Sequence, residues 1–201
     1  MEEPVDFRYC TEAVLRGPAL DRSRVLDLLS SFGDSAVAAG TEETLHVHVH
    51  TNVPALATEA LADLGALSST KVDDMWRNLA ATGAATCRSG TALVTDSVCD
   101  LPIAYTTARR IHVVPLRVTL DEVPYADGID ITPRRFYDWL TSTSTPPKTS
   151  QPGPAEFETL YRLLARRFAS IVSVHVSSGV SGTADSARRA ARQVSDETGT
   201  R

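Results

Sequence analysis

The stretch Leu45-His46-Val47-His48-Val49-His50-Thr51 constrains the fold most, because its alternation is strict. Period two is the repeat of a β-strand with one buried face. Leu45, Val47 and Val49 therefore face a core, and His46, His48 and His50 face away from it. A slip of one residue would bury three imidazoles, so register is specified as firmly as conformation. The neighbouring segments fit one small sheet packed by helices. Phe7–Leu15 alternates enough for a strand. Asp21 precedes a helical pattern of Val25, Leu26, Leu28, Leu29 and Phe32, with Gly33 able to stop it. Ser35–Ala39 is a further strand candidate, and Gly40-Thr41-Glu42-Glu43 a hairpin connection. Pro54 opens a second helix carrying Leu56, Ala60, Leu61 and Leu64.

The pattern changes after residue 80. Residues 80–91 are small and polar with no sustained period, which is linker composition. We place domains at 1–80 and 91–201, with 81–90 between them. The second domain alternates strand and helix candidates: Ala92–Thr95, Pro102–Ala108, His112–Leu120, a helix from Thr132-Pro133, and a helical face of Phe157, Leu160, Tyr161, Leu164 and Phe168. Ile171–Val176 and a helix with Ala184, Ala187, Ala191 and Val194 follow. That order predicts a parallel sheet covered on both faces. The chain is thus read as α/β, a small α+β domain followed by a parallel-sheet lobe.

Composition closes off several functions. With 201 residues, one or two domains fit, and 42% hydrophobic against 22% charged residues is globular. A net charge of −5 offers no polycationic surface for nucleic acid or anionic lipid. No apolar run reaches the roughly 18 residues of a membrane span. The first residues lack a signal-peptide pattern. Three cysteines, Cys10, Cys87 and Cys99, are too few and too scattered for a disulfide framework, so a cytoplasmic setting is expected.

Two clusters carry chemistry. Residues i and i+2 of a strand lie about 6.5–7 Å apart on one face, so two of the imidazoles can converge on one ion. Cys10 could add a thiolate from a neighbouring segment, and two His with one Cys suit zinc, leaving a fourth position for water, Glu12 or a ligand. The alternative is an exposed strand face that happens to be rich in histidine. The second cluster is Ser177-Ser178-Gly179-Val180-Ser181-Gly182-Thr183, between a strand and a helix. Gly179 and Gly182 allow close backbone approach, the helix start supplies free N–H groups, and the hydroxyls add donors, an arrangement suited to a carboxylate or phosphate. It is equally the composition of an ordinary helix start. No Lys follows the second glycine, so it is not a Walker loop. Thr95-Asp96-Ser97 and Lys148-Thr149-Ser150-Gln151-Pro152 are two more hydroxyl-rich segments of the same domain. No Gly-x-Ser-x-Gly elbow is present. His112 and His175 sit in apolar runs and read as structural. Asp127 and Asp130 could take Mg²⁺ or simply solvate a loop, Cys99 is a lone thiol, and Trp76 and Trp139 read as packing residues.

Val94-Thr95-Asp96-Ser97, Asp100-Leu101-Pro102, Val114-Pro115-Leu116, Tyr125-Ala126-Asp127-Gly128, Lys148–Pro152 and Ser177–Thr183 resemble the DegV family in order and spacing, over roughly residues 91–195. The resemblance implies a bacterial fatty-acid-binding fold. The acyl carboxylate would lie against Thr149 and Ser181, with Ser150, Ser178, Gly182, Asp96 and Ser97 around it. Tyr9-Cys10-Thr11-Glu12, Gly33-Asp34-Ser35 and Val47–Asn52 resemble the domain after the kinase domain in the dihydroxyacetone-kinase-like subunit of fatty acid kinase. That likeness implies Cys10, His48 and His50 as zinc ligands. Asp73-Asp74-Met75 resembles that domain's Asn-Met ending. No kinase domain is expected ahead of residue 1, and the acyl-binding fold is expected to be incomplete, a first lobe only. The expected function is to bind a long-chain fatty acid and present its carboxylate to an ATP-binding kinase domain or subunit. No catalysis is expected of this chain alone, and a homodimer is among its expected partners. The alternatives are a zinc-dependent hydrolase or phosphatase acting on a phosphate or acyl ester, with Glu12 as base, or a purely structural zinc docking module.

Overall fold

The computed structural model describes residues 7–76 and 89–201. They fall into two compact units: the chain up to Trp76 together with residues 128–132, and the remainder. Most of the expected linker, residues 81–88, lies outside the described residues.

The first unit runs β1 (Tyr9–Arg16), α1 (Arg22–Ser30), β2 (Gly33–Gly40), β3 (Thr44–Thr51), α2 (Pro54–Ala62) and β4 (Ala66–Asp74). The four strands form one sheet in the order β2-β3-β1-β4, every pair antiparallel. The alternation of β3 is realised as read. Leu45, Val47 and Val49 are buried and join Ala13, Leu15, Leu20, Val25, Leu29, Ala38 and Leu61 in one core. Asp21 caps α1, its carboxylate accepting from the N–H groups of Ser23 and Arg24. Gly33 does not stop that helix, which ends at Ser30; it begins β2. A Cβ at Gly33 would run into the carbonyl of His50, so the close approach of β2 to β3 needs glycine there. β4 has no counterpart among the strands expected from sequence. It is an edge strand whose Ser68-Ser69-Thr70-Lys71 run is exposed, so no apolar alternation marks it.

The second unit runs β5 (Thr91–Asp96), a 3₁₀ turn (Ser97–Cys99), α3 (Ile103–Ala108), β6 (Ile111–Val114), β7 (Arg117–Leu120), β8 (Val123–Ala126), α4 (Pro133–Ser142), β9 (Lys148–Ser150), α5 (Pro154–Ala165), β10 (Ser170–Val174) and α6 (Thr183–Thr198). β10, β5 and β6 form the expected parallel sheet in that order, but the expected cover on both faces is not found among the described residues, because Leu93, Val172 and Val174 are exposed on one of them. A second, antiparallel sheet, β8-β7-β9, goes beyond the expectation. The single strand expected at His112–Leu120 is two strands in two sheets. Pro115 has no N–H to donate and breaks the ladder between them. β7 and β8 join through Asp121 and Glu122, both left-handed (φ 47° and 66°), which is a type I′ hairpin without glycine or asparagine. The helical face of Phe157, Leu160, Tyr161 and Leu164 is buried; Phe168 lies past the helix end and meets His112 edge to face. No helix among the described residues is long and apolar enough to cross a membrane.

Candidate functional site

In the first unit, Cys10 faces His50 across the β1–β3 ladder, and Glu12 faces His48. Paired residues share a face, so β1 and β3 bring the thiol to the two imidazoles. Cys10 Sγ lies 3.6 Å from His48 Nδ1, and the two imidazoles meet edge to face with centroids 4.8 Å apart. One ligand atom from each of Cys10, His48 and His50 lies within 4.8 Å of the others. Zinc bonds of about 2.0–2.3 Å put tetrahedral ligands roughly 3.3–3.7 Å apart; the Cys10–His48 pair at 3.6 Å meets that spacing, and the set as a whole, spread over up to 4.8 Å, is looser. His46 is exposed and outside the group. Carboxylates surround it: Glu12 Oε1 is 3.7 Å from His48 Nδ1, and Asp34 Oδ1 is 3.5 Å from His50 Nδ1. Burial pushes the Cys10 thiol above its ordinary value, and the nearby Glu12 and Asp73 push it further. Among the described residues this is the only group of three or more candidate metal ligands; Asp127 and Asp130 form none.

In the second unit, two side-chain pins, one buried and one exposed, draw the hydroxyl-rich segments together. The first is Asp96, only 1% exposed at the end of β5. Its Oδ1 accepts from Val98 N–H; its Oδ2 accepts from Val176 N–H and lies 3.0 Å from His175 Nδ1. These bonds tie the end of β5 to the segment that opens into Ser177–Thr183. With both oxygens engaged, Asp96 holds the loops from beneath rather than facing a ligand. Ser97 Oγ accepts from Leu116 N–H, which fixes the turn after β6.

The second pin is Gln151. Its side-chain amide lies over Gly182, where a Cβ would come within 2.6 Å of Nε2, and it reaches Ser186 Oγ at 3.5 Å. Gly182 leaves room for that amide, and a side chain there would displace the end of Gln151 rather than meet backbone. The clasp brings the segment after β9 to the start of α6. Thr149 and Ser150 lie exposed on β9. Ser181 Oγ lies 2.8 Å from Thr183 Oγ1 and accepts from Thr183 N–H. α6 has no side-chain cap bond at Gly182, so its first-turn amides are directed at this loop. Ser177 and Ser178 are exposed beside it. Sequence reasoning misses Gln151; His175, which reads there as structural, is buried against Asp96. Ser173-Val174-His175 is an i, i+2 pair at a strand end, and that spacing is the available signal. Ser173 Oγ lies 2.5 Å from His175 Nε2 and 2.6 Å from Tyr161 Oη.

A parallel three-stranded sheet with a hydroxyl-lined helix start at its carboxyl ends is the architecture of an anion-binding α/β lobe. Comparison with known proteins narrows that class. Residues 90–200 match the family described as "Uncharacterised protein, DegV family", and residues 6–81 match the family of FakA-like middle domains of fatty acid kinase. The chain belongs to the DegV family, with a FakA-like middle domain ahead of the DegV domain. A DegV domain-containing protein of Staphylococcus aureus strain N315 is 40% identical over 102 residues, covering 51% of this chain and 36% of that protein. Protein DegV of Bacillus subtilis is 36% identical over 99 residues, covering 49% of this chain and 35% of that one. The chain thus spans about a third of the length of these relatives. Among solved structures, DegV of Bacillus subtilis, a fatty acid binding protein, superposes with a TM-score of 0.50 at 34% identity, over 52% of this chain and 37% of that one. A stearic acid-binding protein from Eubacterium ventriosum gives a TM-score of 0.51 at 31% identity, over 54% and 38%. The hydrolase alternative gains no support from these neighbours.

Proposed function

We propose that the second unit binds a long-chain fatty acid, with the carboxylate held by Thr149 and Ser181. Ser150, Ser178, Ser97 and the backbone at Gly182 complete the head-group site, and Asp96 positions it. The observation that carries this reading is the Gln151–Gly182 clasp, which gathers two hydroxyl-bearing segments at the amide end of a 16-residue helix. A carboxylate there gains charge-assisted hydrogen bonds and a favourable dipole. Apolar surface flanks the polar groups: Val98, Leu101 and Ile103 follow Ser97 and are exposed, and Val180 is 82% exposed. Burying an acyl chain on such surface contributes about 0.8 kcal/mol per CH₂, which supplies most of the affinity. Solved relatives that bind fatty acids support the same assignment.

The first unit, on this reading, docks an ATP-binding kinase domain or subunit that phosphorylates the presented carboxylate; its likeness to the fatty acid kinase middle domain supports that role. Zinc held by Cys10, His48 and His50 stitches β1 to β3 and serves stability rather than catalysis. The setting is cytoplasmic, and size-exclusion with light scattering tests for a homodimer. Chelation should lower the melting temperature of the first unit, and a melting curve indifferent to chelator contradicts the zinc assignment.

Displacement of a fluorescent fatty acid tests the head-group site. Ser181→Ala and Thr149→Ala should each weaken binding by about 10-fold, the worth of one hydrogen bond to a charged group. Unchanged affinity in both variants overturns the assignment.

A further inference from the structure

A chain of hydrogen bonds runs from Asp96, beneath the hydroxyl loops, into the interior of the second unit. Asp96 and His175 side chains are 1% and 4% exposed. A carboxylate oxygen bridged by Val176 N–H can only accept, so His175 Nδ1 carries the proton and Nε2 is left as acceptor. Ser173 Oγ, 2.5 Å away, donates to Nε2. Tyr161 Oη, 2.6 Å from Ser173 Oγ, donates to that oxygen in turn. Burial holds the Tyr161 phenol above its ordinary value, so it stays a donor. Phe157 packs edge to face on the imidazole at 5.0 Å and fixes its plane. Ser173 and Tyr161 both line a cavity of about 350 Å³, whose other walls include Arg192, Val194 and Ser195 of α6. A base oriented by a buried carboxylate, bonded to a hydroxyl on a cavity wall, is the arrangement of an activated serine.

We propose that Ser173, His175 and Asp96 form a nucleophilic triad that cleaves a short-chain carboxylic ester in this cavity, with Tyr161 as the oxyanion donor. Ser173 Oγ attacks the ester carbon as its proton passes to His175 Nε2. The bond to the alcohol breaks, and the alcohol leaves with that proton. A water molecule, deprotonated by the same nitrogen, then attacks the acyl-serine. The carboxylic acid is released and Oγ regains its proton. Tyr161 Oη loses its acceptor when Oγ bonds to carbon and donates to the carbonyl oxygen that gains charge. Asp96 touches no substrate; it sets the tautomer and tilt of the ring. The inference does not rest on the fatty-acid reading, since the loop hydroxyls take no part in it.

The test uses the full chain and a fluorophosphonate carrying a short alkyl chain, with intact-mass and peptide analysis of the adduct and phenyl acetate hydrolysis in parallel. The expected result is one adduct per chain, on Ser173, absent in Ser173→Ala. Labelling and hydrolysis should fall by about 10³-fold or more in His175→Gln. Loss of an oxyanion donor in Tyr161→Phe should cost about 10²-fold. Tyr161→Phe keeps the buried triad intact and serves if His175→Gln does not fold. Folded protein that forms no adduct, an adduct that persists in Ser173→Ala, or rates unchanged in both relay variants would overturn the triad.

Discussion

The two units place their chemistry differently. In the first, Cys10, His48 and His50 project from the strands of one four-stranded antiparallel sheet, at spacings the ladder dictates. In the second, the residues of interest sit on loops at the ends of short strands, and each loop is held by a side chain from far along the chain. His175 meets Asp96 across 79 positions, and Gln151 meets Ser186 across 35. The apolar surface differs too. Val37 is the one large apolar side chain of the first unit that is exposed among the described residues, whereas the second exposes Leu93, Val98, Val172, Val174 and Val180 among others. A sheet with one core-facing side fixes a site by its own repeat. A loop site instead depends on a few polar pins and stays close to apolar surface that a ligand can cover.

The comparison can be broken most forcefully at those supports. Leu15 is fully buried in the first unit, and Leu15→Ala should cost about 3 kcal/mol. Hydrogen exchange should show protection lost in β1 and β3 and retained in β5 and α6. Loss in both units would mean that they do not hold together separately. Asp96→Ala should cost the second unit about as much, around 3 kcal/mol, because Val98 N–H, Val176 N–H and His175 lose a buried acceptor together. It should also weaken fatty-acid binding although Asp96 does not face the ligand, which a displacement titration would detect. Retained affinity would show that the loop holds its shape without the pin.

A pH titration sharpens the same contrast on a smaller scale. Burial pushes the Tyr9 phenol up to about 12 in the folded first unit, with Arg8 opposing and Asp74 adding to the shift. The unfolded chain ionises near pH 10, so the phenol's stabilising contribution is intact below that pH. It is lost as pH rises through the folded value. Between pH 10 and 12 the first unit should lose about 2 kcal/mol, and Tyr9→Phe should remove that slope. A slope unchanged in Tyr9→Phe assigns it to other groups. The smallest effect lies at the β7–β8 turn. Glu122 carries a positive φ of 66° and only an exposed ion pair with Lys148. Glu122→Gly should raise the stability of the second unit by at most about 1 kcal/mol, read from the denaturation midpoint.

What the sequence discloses follows the same division. The meeting of Cys10 with His48 across 38 positions is an expectation of the family resemblance alone, whereas β3 and its buried face rest on period two, which is local. Asp21 at its cap and Pro54 and Pro133 at the first helical positions are legible for the same reason. β4 is silent because its exposed edge carries Ser, Thr and Lys on both faces. The β7–β8 hairpin is silent because Asp121-Glu122 is not a sequence that normally turns left-handed. Gln151 and the His175–Asp96 contact are silent for a different reason: these partners, 35 and 79 positions apart, are chosen by tertiary packing. Asp96 is legible as a strand-end carboxylate among hydroxyls, yet its burial gives it the task of support.

The central claim is that a fatty acid lies with its carboxylate at the clasped loops of the second unit. Native mass spectrometry of the full chain after incubation with palmitate tests it most directly, comparing the wild type with the Thr149→Ala/Ser181→Ala double variant. The account predicts one fatty acid per wild-type chain and loss of that mass in the double variant. Equal retention by both proteins, or no adduct on the folded wild type, would contradict it.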